Sequence, residues 1–438
     1  MSTHDLQPGE VLPPWPPLEA YRRDAEHLSQ DAASDVGAWL LPVAVLLARY
    51  AESPDSERLR LRKELRGALR HGVPSHDLGA VGASSTSASS AYIPETDSTS
   101  TAIYQQDQDA LWLGPAVRDF ANVAEDLGAF HLAYSTLSLN ERIHVEDLLE
   151  RGRSTAQRGR IARKLGKLEM AAHLYQMVLR LNTRAKSKEL RARAYLGYGV
   201  VAHVRGSYPV ARKWYQRAAR VADAYGITDV SSMAHHGLMI AASVAGELEQ
   251  ALLEGWAAFA HAGGDVRLEA EMLLNIGQLL LEMDRPESAT CSFAAALTRT
   301  SLPRLTLPAW GGLAVAAARR RHVGLVHQAA LRIDTIAGHA ILPYDIISAQ
   351  FDLATAYLQL GMKETAEHYQ RRTLAASRSH GFHEFVYRAE TLGEKIDAAA
   401  SPVTTSSGTP ELPLTPTALA VVREVERLGD AEAVHVNA

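Results

Sequence analysis

One motif of the chain returns after forty residues, and this recurrence constrains the fold more than any other sequence feature. Residues 165–181 read LGKLEMAAHLYQMVLRL, and residues 205–221 read RGSYPVARKWYQRAARV. The matching positions are Gly166 and Gly206, Ala171 and Ala211, Tyr175 and Tyr215, and, upstream, Gly159 and Gly199. A weaker third copy carries Gly246 and Ala251 at the same interval. The recurrence predicts stacked supersecondary units, each packed mainly on its neighbours.

Each unit is predicted to consist of two helices joined by a turn at a glycine or an aspartate. An alanine follows most turns by five residues, where a small side chain lets two helices approach closely. An aromatic residue or a leucine follows four residues later, on the same face of the helix. The predicted turns are Gly128, Gly166, Gly206, Gly246, Asp284, residues 322–324 and Gly361; the alanines are Ala133, Ala171, Ala211, Ala251, Ala289 and Ala366; the larger residues are Leu137, Tyr175, Tyr215 and Phe293.

This spacing resembles the tetratricopeptide repeat over residues 114–399, about seven units. The resemblance implies an all-α, right-handed α-α solenoid of about seven helical hairpins whose first helices line a concave, partner-binding surface. The interval near forty residues exceeds the 34 of the family, and the unit around residues 310–334 is degenerate, so the superhelical pitch is not carried over. The best-matching positions are Tyr195, Gly199, Gly206, Tyr208, Ala211, Tyr215 and Ala218 in one unit, and Gly277, Ala289, Phe293 and Ala296 in another.

Changes of composition divide the chain into four predicted segments. Residues 1–72 form an arm and a small helical hairpin, which either caps the solenoid or acts as a separate interaction module. Residues 73–108 are rich in serine, glycine and threonine, too polar to bury a core, and are predicted to be a flexible linker. The solenoid occupies residues 109–400, and residues 401–438 form a second linker and a tail.

The tail is predicted to contain a short helix over residues 416–428. Thr415 caps its start and Gly429 lies beyond its end. Its apolar stripe leaves three alternatives open: docking on the chain's own groove, docking on a partner, or simple disorder. The stripe consists of Ala418, Val421, Val422, Val425 and Leu428.

The composition and the amino end favour a cytoplasmic protein, and the resemblance implies a bacterial-type adaptor. The single cysteine, Cys291, rules out an internal disulfide framework and is predicted to be core filler rather than a reactive thiol. Prolines and acids stand at the amino end where a signal peptide would need basic and then apolar residues. The best membrane candidate, residues 39–50, is much shorter than the roughly 20 residues that span a bilayer.

No enzyme signature is evident, and we expect no catalytic residues, no cofactor and no metal site. Phosphate-binding glycine loops and a nucleophile elbow are missing from the sequence. His235 and His236 are adjacent on a predicted helix, so their side chains point about 100° apart. His380 and His383 are separated by Gly381, which breaks the helix between them. The four histidines are therefore predicted to serve packing or the surface.

The charge distribution indicates where a partner would bind. Residues 151–220 hold 18 Lys and Arg against two Asp and Glu, whereas residues 1–150 hold 11 against 23. Such a basic block, with few acidic partners in the same helices, destabilises a fold unless something anionic answers it. If first helices line the concave surface, Arg151 and Arg158 lie toward its edge. The residues predicted to face inward and bind a partner are Arg153, Arg160, Arg163, Lys164, Arg193 and His203.

Three explanations of the basic block remain open at this point. An acidic peptide or protein segment is one ligand, which makes the chain a non-enzymatic protein–protein interaction adaptor. Nucleic acid, helped by Tyr195, Tyr198 and Trp214, is a second ligand, although the near-neutral pI of about 6.4 argues against it. The alternative function is a regulator or sensor that binds a peptide or nucleic acid. Finally, the acidic portions of the chain itself, residues 1–150 or 221–302, neutralise the block within a monomer or across a self-associated dimer.

Overall fold

The computed structural model describes residues 113–122, 124–125, 129–338, 343–398 and 413–436, the last seven of them without their side chains, and scattered positions between residues 43 and 68. The predicted linker of residues 73–108 and residues 401–412 of the second predicted linker lie outside the described residues. So do the predicted turn at Gly128 and most of residues 1–72. The chain divides into two compact units, and the boundary follows Val201.

Every regular element in the described part of the chain is a helix. In the first unit, helical residues at 113–122 and 124–125 precede α1 (Phe130–Ile143), α2 (Leu148–Lys164) and α3 (Leu168–Ala185), and the boundary falls within α4 (Lys188–Val204). The second unit continues with α5 (Tyr208–Ala224), α6 (Thr228–Val244), α7 (Leu248–His261), α8 (Val266–Glu282), α9 (Pro286–Arg299), α10 (Pro303–Arg319), α11 (Val323–Ala337), α12 (Pro343–Gln359), α13 (Lys363–His380), α14 (His383–Ala398) and α15 (Pro416–Val436).

Five of the predicted turns are present in the described residues, because one residue in each adopts the left-handed backbone conformation that ends a helix. Four of these residues are glycines, which adopt it at no steric cost. Asp284 takes it with φ of 56° and Arg321 with φ of 60°. The turn predicted at residues 322–324 lies instead at Arg321, and residues 323–324 already belong to α11. The unit predicted to be degenerate still forms a helical hairpin, α10 and α11. The glycines are Gly166, Gly206, Gly246 and Gly361.

The small and large residues of the repeat pack as the spacing predicts. The six predicted alanines are fully buried at 0% exposure, and each predicted aromatic residue or leucine is buried too. In the second unit, the Phe293 ring lies against Gly277 and Gly312, where a Cβ would come within 2.7 and 2.3 Å of ring carbons. The glycines on first helices therefore make room for aromatic rings of second helices.

The carboxyl-terminal helix docks on its own chain. Helix α15 packs against α9 and α7, both of them second helices of the repeat. Thr415 Oγ1 accepts a hydrogen bond from the Ala418 N–H at 3.4 Å, as expected of a cap. Gly429 does not lie beyond the helix, because α15 continues to Val436. The lack of a side chain at Gly429 instead lets the helix lie directly on Cys291. The buried stripe residues are Ala418, Val421, Val422 and Val425.

Membrane insertion through a helix finds no support in this part of the chain. Among the described residues, no helix combines the length and the apolar character that crossing a bilayer requires.

Candidate functional site

Two cations of the basic block share one buried carboxylate in the first unit. Arg160 Nη2 lies 2.6 Å from Glu125 Oε2, and Lys164 Nζ lies 2.7 Å from Glu125 Oε1. Burial raises the pKa of Glu125, but the charges and hydrogen bonds of Arg160 and Lys164 outweigh burial, so the pKa lies below its usual value. Glu125 lies in the helical residues before α1, outside the basic block. An acidic residue from another part of the chain therefore neutralises part of the positive charge of the block.

A second carboxylate, Glu189 on α4, is also shared by two cations. Arg153 Nη2 lies 2.6 Å from Glu189 Oε2, and Arg193 Nε lies 2.9 Å from Glu189 Oε1. Burial opposes ionisation of Glu189, but the two guanidinium groups lower its pKa to about 2. Glu189 therefore stays ionised at neutral pH and holds both arginines in position, with about a third of each arginine side chain exposed.

The other two predicted partner-binding residues stand apart from these clusters. Arg163, on α2, is half-buried and forms no ion pair with any residue that the structure describes. Its charge acts on the hydroxyl of Tyr175. His203 lies in the second unit, where its ring packs edge-on against Tyr208 at a centroid distance of 5.3 Å. The structure thus brings together four of the six predicted residues, as two clusters of two cations around one carboxylate.

The repeat assignment placed Arg158 toward the edge of the surface, and this prediction is wrong. Arg158 lies in the core. Only 2% of its side chain is exposed. Its guanidinium donates to Glu141 Oε2 at 2.9 Å and to the Tyr134 hydroxyl at 2.8 Å. The burial of Arg158 has a signal in the sequence, because the small residues Ser154 and Ala162 lie one helical turn away on either side. Both are buried in the structure. Small residues at that spacing mark the packed face of a helix.

A polar cavity of about 590 Å³ lies in the second unit between α15, the start of α9 and the α10–α11 turn. Arg319 donates to the Leu281 carbonyl oxygen at 2.7 Å, and Arg320 Nε lies 3.8 Å from Glu287 Oε1. Four arginines and two glutamates line the cavity, so its charge is mixed. The charged residues of the lining are Arg285, Glu287, Arg319, Arg320, Arg423 and Glu426.

His235 and His236 are adjacent in the sequence but contact different residues. His235 faces Asp223 and His261 rather than His236. His236 instead forms a hydrogen bond with Asn275, at 3.2 Å between nitrogen atoms. The His380 ring stacks on Phe382. The pairing of His235 escaped sequence reasoning because its partners come from the ends of two other helices.

Several solved structures similar to this chain are tetratricopeptide-repeat or TPR-like proteins. A Signal Transduction ATPase with Numerous Domains protein with a tetratricopeptide repeat sensor, from Pyrococcus horikoshii, aligns with a TM-score of 0.50 and 12% identity over 84% of this chain and 55% of that chain. This chain thus spans about half the length of that protein. A Rap protein complexed with Competence and Sporulation Factor aligns more weakly, with a TM-score of 0.43 and 11% identity over 84% of this chain and 99% of that chain. YrrB, a TPR protein with an unusual peptide-binding site, aligns with a TM-score of 0.27 and 16% identity over 47% of this chain and 93% of that chain.

Comparison by sequence adds no relative. Neither a protein-family model nor the sequence of a curated protein matches the chain. The helical hairpins, their left-handed turn residues and the first of these likenesses agree on the fold. The chain has the all-α fold of a tetratricopeptide-like helical repeat.

Proposed function

We propose that the chain is a non-enzymatic, cytoplasmic interaction scaffold that binds an acidic segment of a partner protein on the first-helix surface of its first unit. The surface comprises the cations of α2 and α4, namely Arg153, Arg160, Arg163, Lys164 and Arg193. One observation carries the proposal: each of two carboxylates is shared by two cations, so four positive side chains are held at fixed positions on this surface.

The internal ion pairs favour recognition, since they limit the cost of ordering long side chains when a ligand binds. Both Nε and Nη2 of Arg153 donate to Glu189, at distances from 2.6 to 3.2 Å. A guanidinium has five N–H donors, so donors remain for an incoming carboxylate. Such charge-assisted hydrogen bonds are among the stronger ones in proteins.

An acidic protein segment fits this surface better than nucleic acid. Proteins that bind single strands stack bases on exposed aromatic rings. Tyr198 is half-buried and packs on Tyr175, at 6.1 Å between ring centroids. In the second unit the guanidinium of Arg217 covers the ring of Trp214, 4.7 Å from its centroid. Two of the three rings that a nucleic acid would use are therefore engaged within the chain.

The proposal is tested by fluorescence anisotropy of the full chain with a labelled ten-residue oligoglutamate peptide and, separately, with a single-stranded oligonucleotide of equal charge. Arg163→Glu reverses a charge that forms no ion pair within the described residues. We expect it to weaken peptide binding about tenfold, the loss of one charge-assisted hydrogen bond. The neutral variant Arg193→Gln is expected to act in the same direction.

Arg184→Glu is the matched control, because it makes the same change of net charge at an exposed position on the second helix α3. It should leave peptide affinity within about twofold of the wild type, since screening weakens distant surface charges. Equal losses in Arg163→Glu and Arg184→Glu would reduce the effect to net charge and contradict a defined surface. Tighter binding of the oligonucleotide, with the same dependence on Arg163, would favour nucleic acid instead.

A further inference from the structure

Three potential metal ligands converge in the second unit, on a feature independent of the basic surface. Asp223 lies near the end of α5, His235 in α6, and His261 is the last residue of α7. One ligand atom from each lies within 4.8 Å of the other two. The site thus joins one helix to both helices of the next hairpin.

The spacing of these atoms fits a small cation. Asp223 Oδ2 lies 3.4 Å from His235 Nε2, and Asp223 Oδ1 lies 3.7 Å from His261 Nε2. Zinc bonds to nitrogen and oxygen measure about 2.0–2.2 Å, which separates tetrahedral ligands by roughly 3.3–3.6 Å. The two carboxylate-to-imidazole distances therefore need little adjustment to accept an ion.

Neighbouring side chains orient the ligands as the outer shell of a metal site does. Glu254 Oε2 lies 2.6 Å from His235 Nδ1, and Gln250 donates to the other oxygen of Glu254 at 2.8 Å. When Nδ1–H donates to Glu254, the lone pair of Nε2 is available to an ion on the side of Asp223. The Ser231 hydroxyl in turn donates to Asp223 Oδ1. Carboxylate–histidine pairs of this kind fix the tautomer and ring orientation of metal-bound histidines.

The arrangement of the rings also favours a cation. The imidazoles of His235 and His261 stack in parallel, with 5.5 Å between centroids and 6° between planes, and both meet the same carboxylate. The carboxylates of Asp223 and Glu254 both lie against the His235 ring. Negative charge thus surrounds the point where the three ligands meet.

We propose that Asp223, His235 and His261 bind one divalent transition-metal ion of the zinc class, with water completing the coordination. Imidazole and carboxylate ligands suit zinc, cobalt and nickel, and two imidazoles disfavour magnesium and calcium. The ion ties α5, α6 and α7 together and stabilises this part of the repeat, because a ligand that binds only the folded state raises its stability.

The test uses the full chain after removal of metal with a chelator, titrated calorimetrically with ZnCl₂ and followed by the visible absorption of added Co²⁺. We expect one ion per chain and a higher unfolding temperature with Zn²⁺. His261→Ala and Asp223→Asn are expected to weaken binding at least about tenfold and to abolish the temperature shift. His380→Ala, an exposed histidine in the same unit, is the matched control and should bind like the wild type.

A milder variant guards against simple loss of folding. Glu254→Gln keeps all three ligands but removes the carboxylate that orients His235, and should weaken Zn²⁺ binding about 10- to 100-fold while circular dichroism stays unchanged. The proposal is overturned if the wild type binds no Zn²⁺ at micromolar concentration. Equal binding by wild type and His261→Ala, which would place the ion on other histidines, also overturns it.

Discussion

The aromatic ring of Tyr175 fills the space that a side chain at Gly197 would need. A Cβ at Gly197 would lie 2.2, 2.3 and 2.5 Å from three carbons of the ring, and one at Gly159 would lie 2.8 Å from it. Tyr175 is buried between the two glycines, which belong to α2 and α4. Successive first helices are thus spaced by a ring that only glycine can accommodate at this distance.

This contact predicts that Gly197→Ala destabilises the protein. In an exposed helix the same change stabilises by about 1 kcal/mol, because alanine has the higher helix propensity. Overpacking in a buried contact costs about 1–3 kcal/mol instead. We expect a net loss of about 1–2 kcal/mol in the free energy of unfolding, measured by urea denaturation.

Gly324→Ala supplies the control. Gly324 lies in α11, and a Cβ there would meet nothing within 4 Å, so this variant should be neutral or slightly more stable. A smaller side chain at Tyr175 should relieve the clash, so Tyr175→Leu combined with Gly197→Ala should cost less than the sum of the two single changes. Additive costs would show that the ring and Gly197 do not interact as described.

The hairpins could be predicted from the sequence because their determinants are local. A left-handed turn residue and an alanine five positions later are set by neighbours along one hairpin, and the buried alanines confirm that spacing. The ion pairs depend instead on the offset between units. Arg153 and Glu189 are 36 residues apart, and Arg160 and Glu125 are 35 apart. A search of the sequence for oppositely charged residues separated by slightly less than one repeat length would have found both ion pairs.

The burial of Arg158 and the cluster around His235 could not be predicted from the offset between repeat units alone. Arg158 is answered by Glu141, which belongs to the intervening second helix α1 and lies 17 residues away. His235 and His261 meet because one stands mid-helix and the other at a helix end. Such contacts depend on how far each helix is rotated and where it stops, which repeat spacing alone does not specify.

The shared carboxylate of Glu189 predicts a defined dependence of stability on pH. Its pKa is about 2 in the folded protein against an ordinary value of 4.5. Because the folded pKa is the lower one, the stabilisation is complete above pH 4.5 and is lost as pH falls from 4.5 toward 2. We expect Glu189→Gln to be about 1–2 kcal/mol less stable than the wild type at pH 7. That gap should narrow below pH 4.5.

Urea denaturation at a series of pH values between 7 and 3.5 measures this gap. Glu394→Gln, which removes an exposed carboxylate on α14, serves as the control and should run parallel to the wild type throughout. If the gap between the wild type and Glu189→Gln stayed constant across the series, Glu189 would not be the carboxylate whose ionisation stabilises the fold.

Because α15 lies on Cys291, we expect the reactivity of the Cys291 thiol to increase when α15 detaches from the repeat. A Cβ at Gly429 would lie 2.5 Å from Cys291 Cβ and 2.6 Å from its Cα, so the two helices touch through their backbones at this point. Val425 is fully buried in the same contact. Val425→Asp places a charge there that cannot stay buried without a partner. We expect α15 to open and Cys291, the single cysteine of the chain, to react with an aromatic disulfide reagent about tenfold faster.

Ala420→Asp is the matched control, because it adds the same charge to the exposed face of α15 and should leave the reaction rate near that of the wild type. Far-ultraviolet circular dichroism distinguishes release of one helix from loss of the whole repeat, since only a small part of the helical signal should disappear. Identical rates for both variants would mean that α15 does not cover Cys291 in solution. A rate increase confined to Val425→Asp would show that α15 opens locally while the hairpins beneath it stay folded, because its docking on α9 and α7 depends on that buried contact.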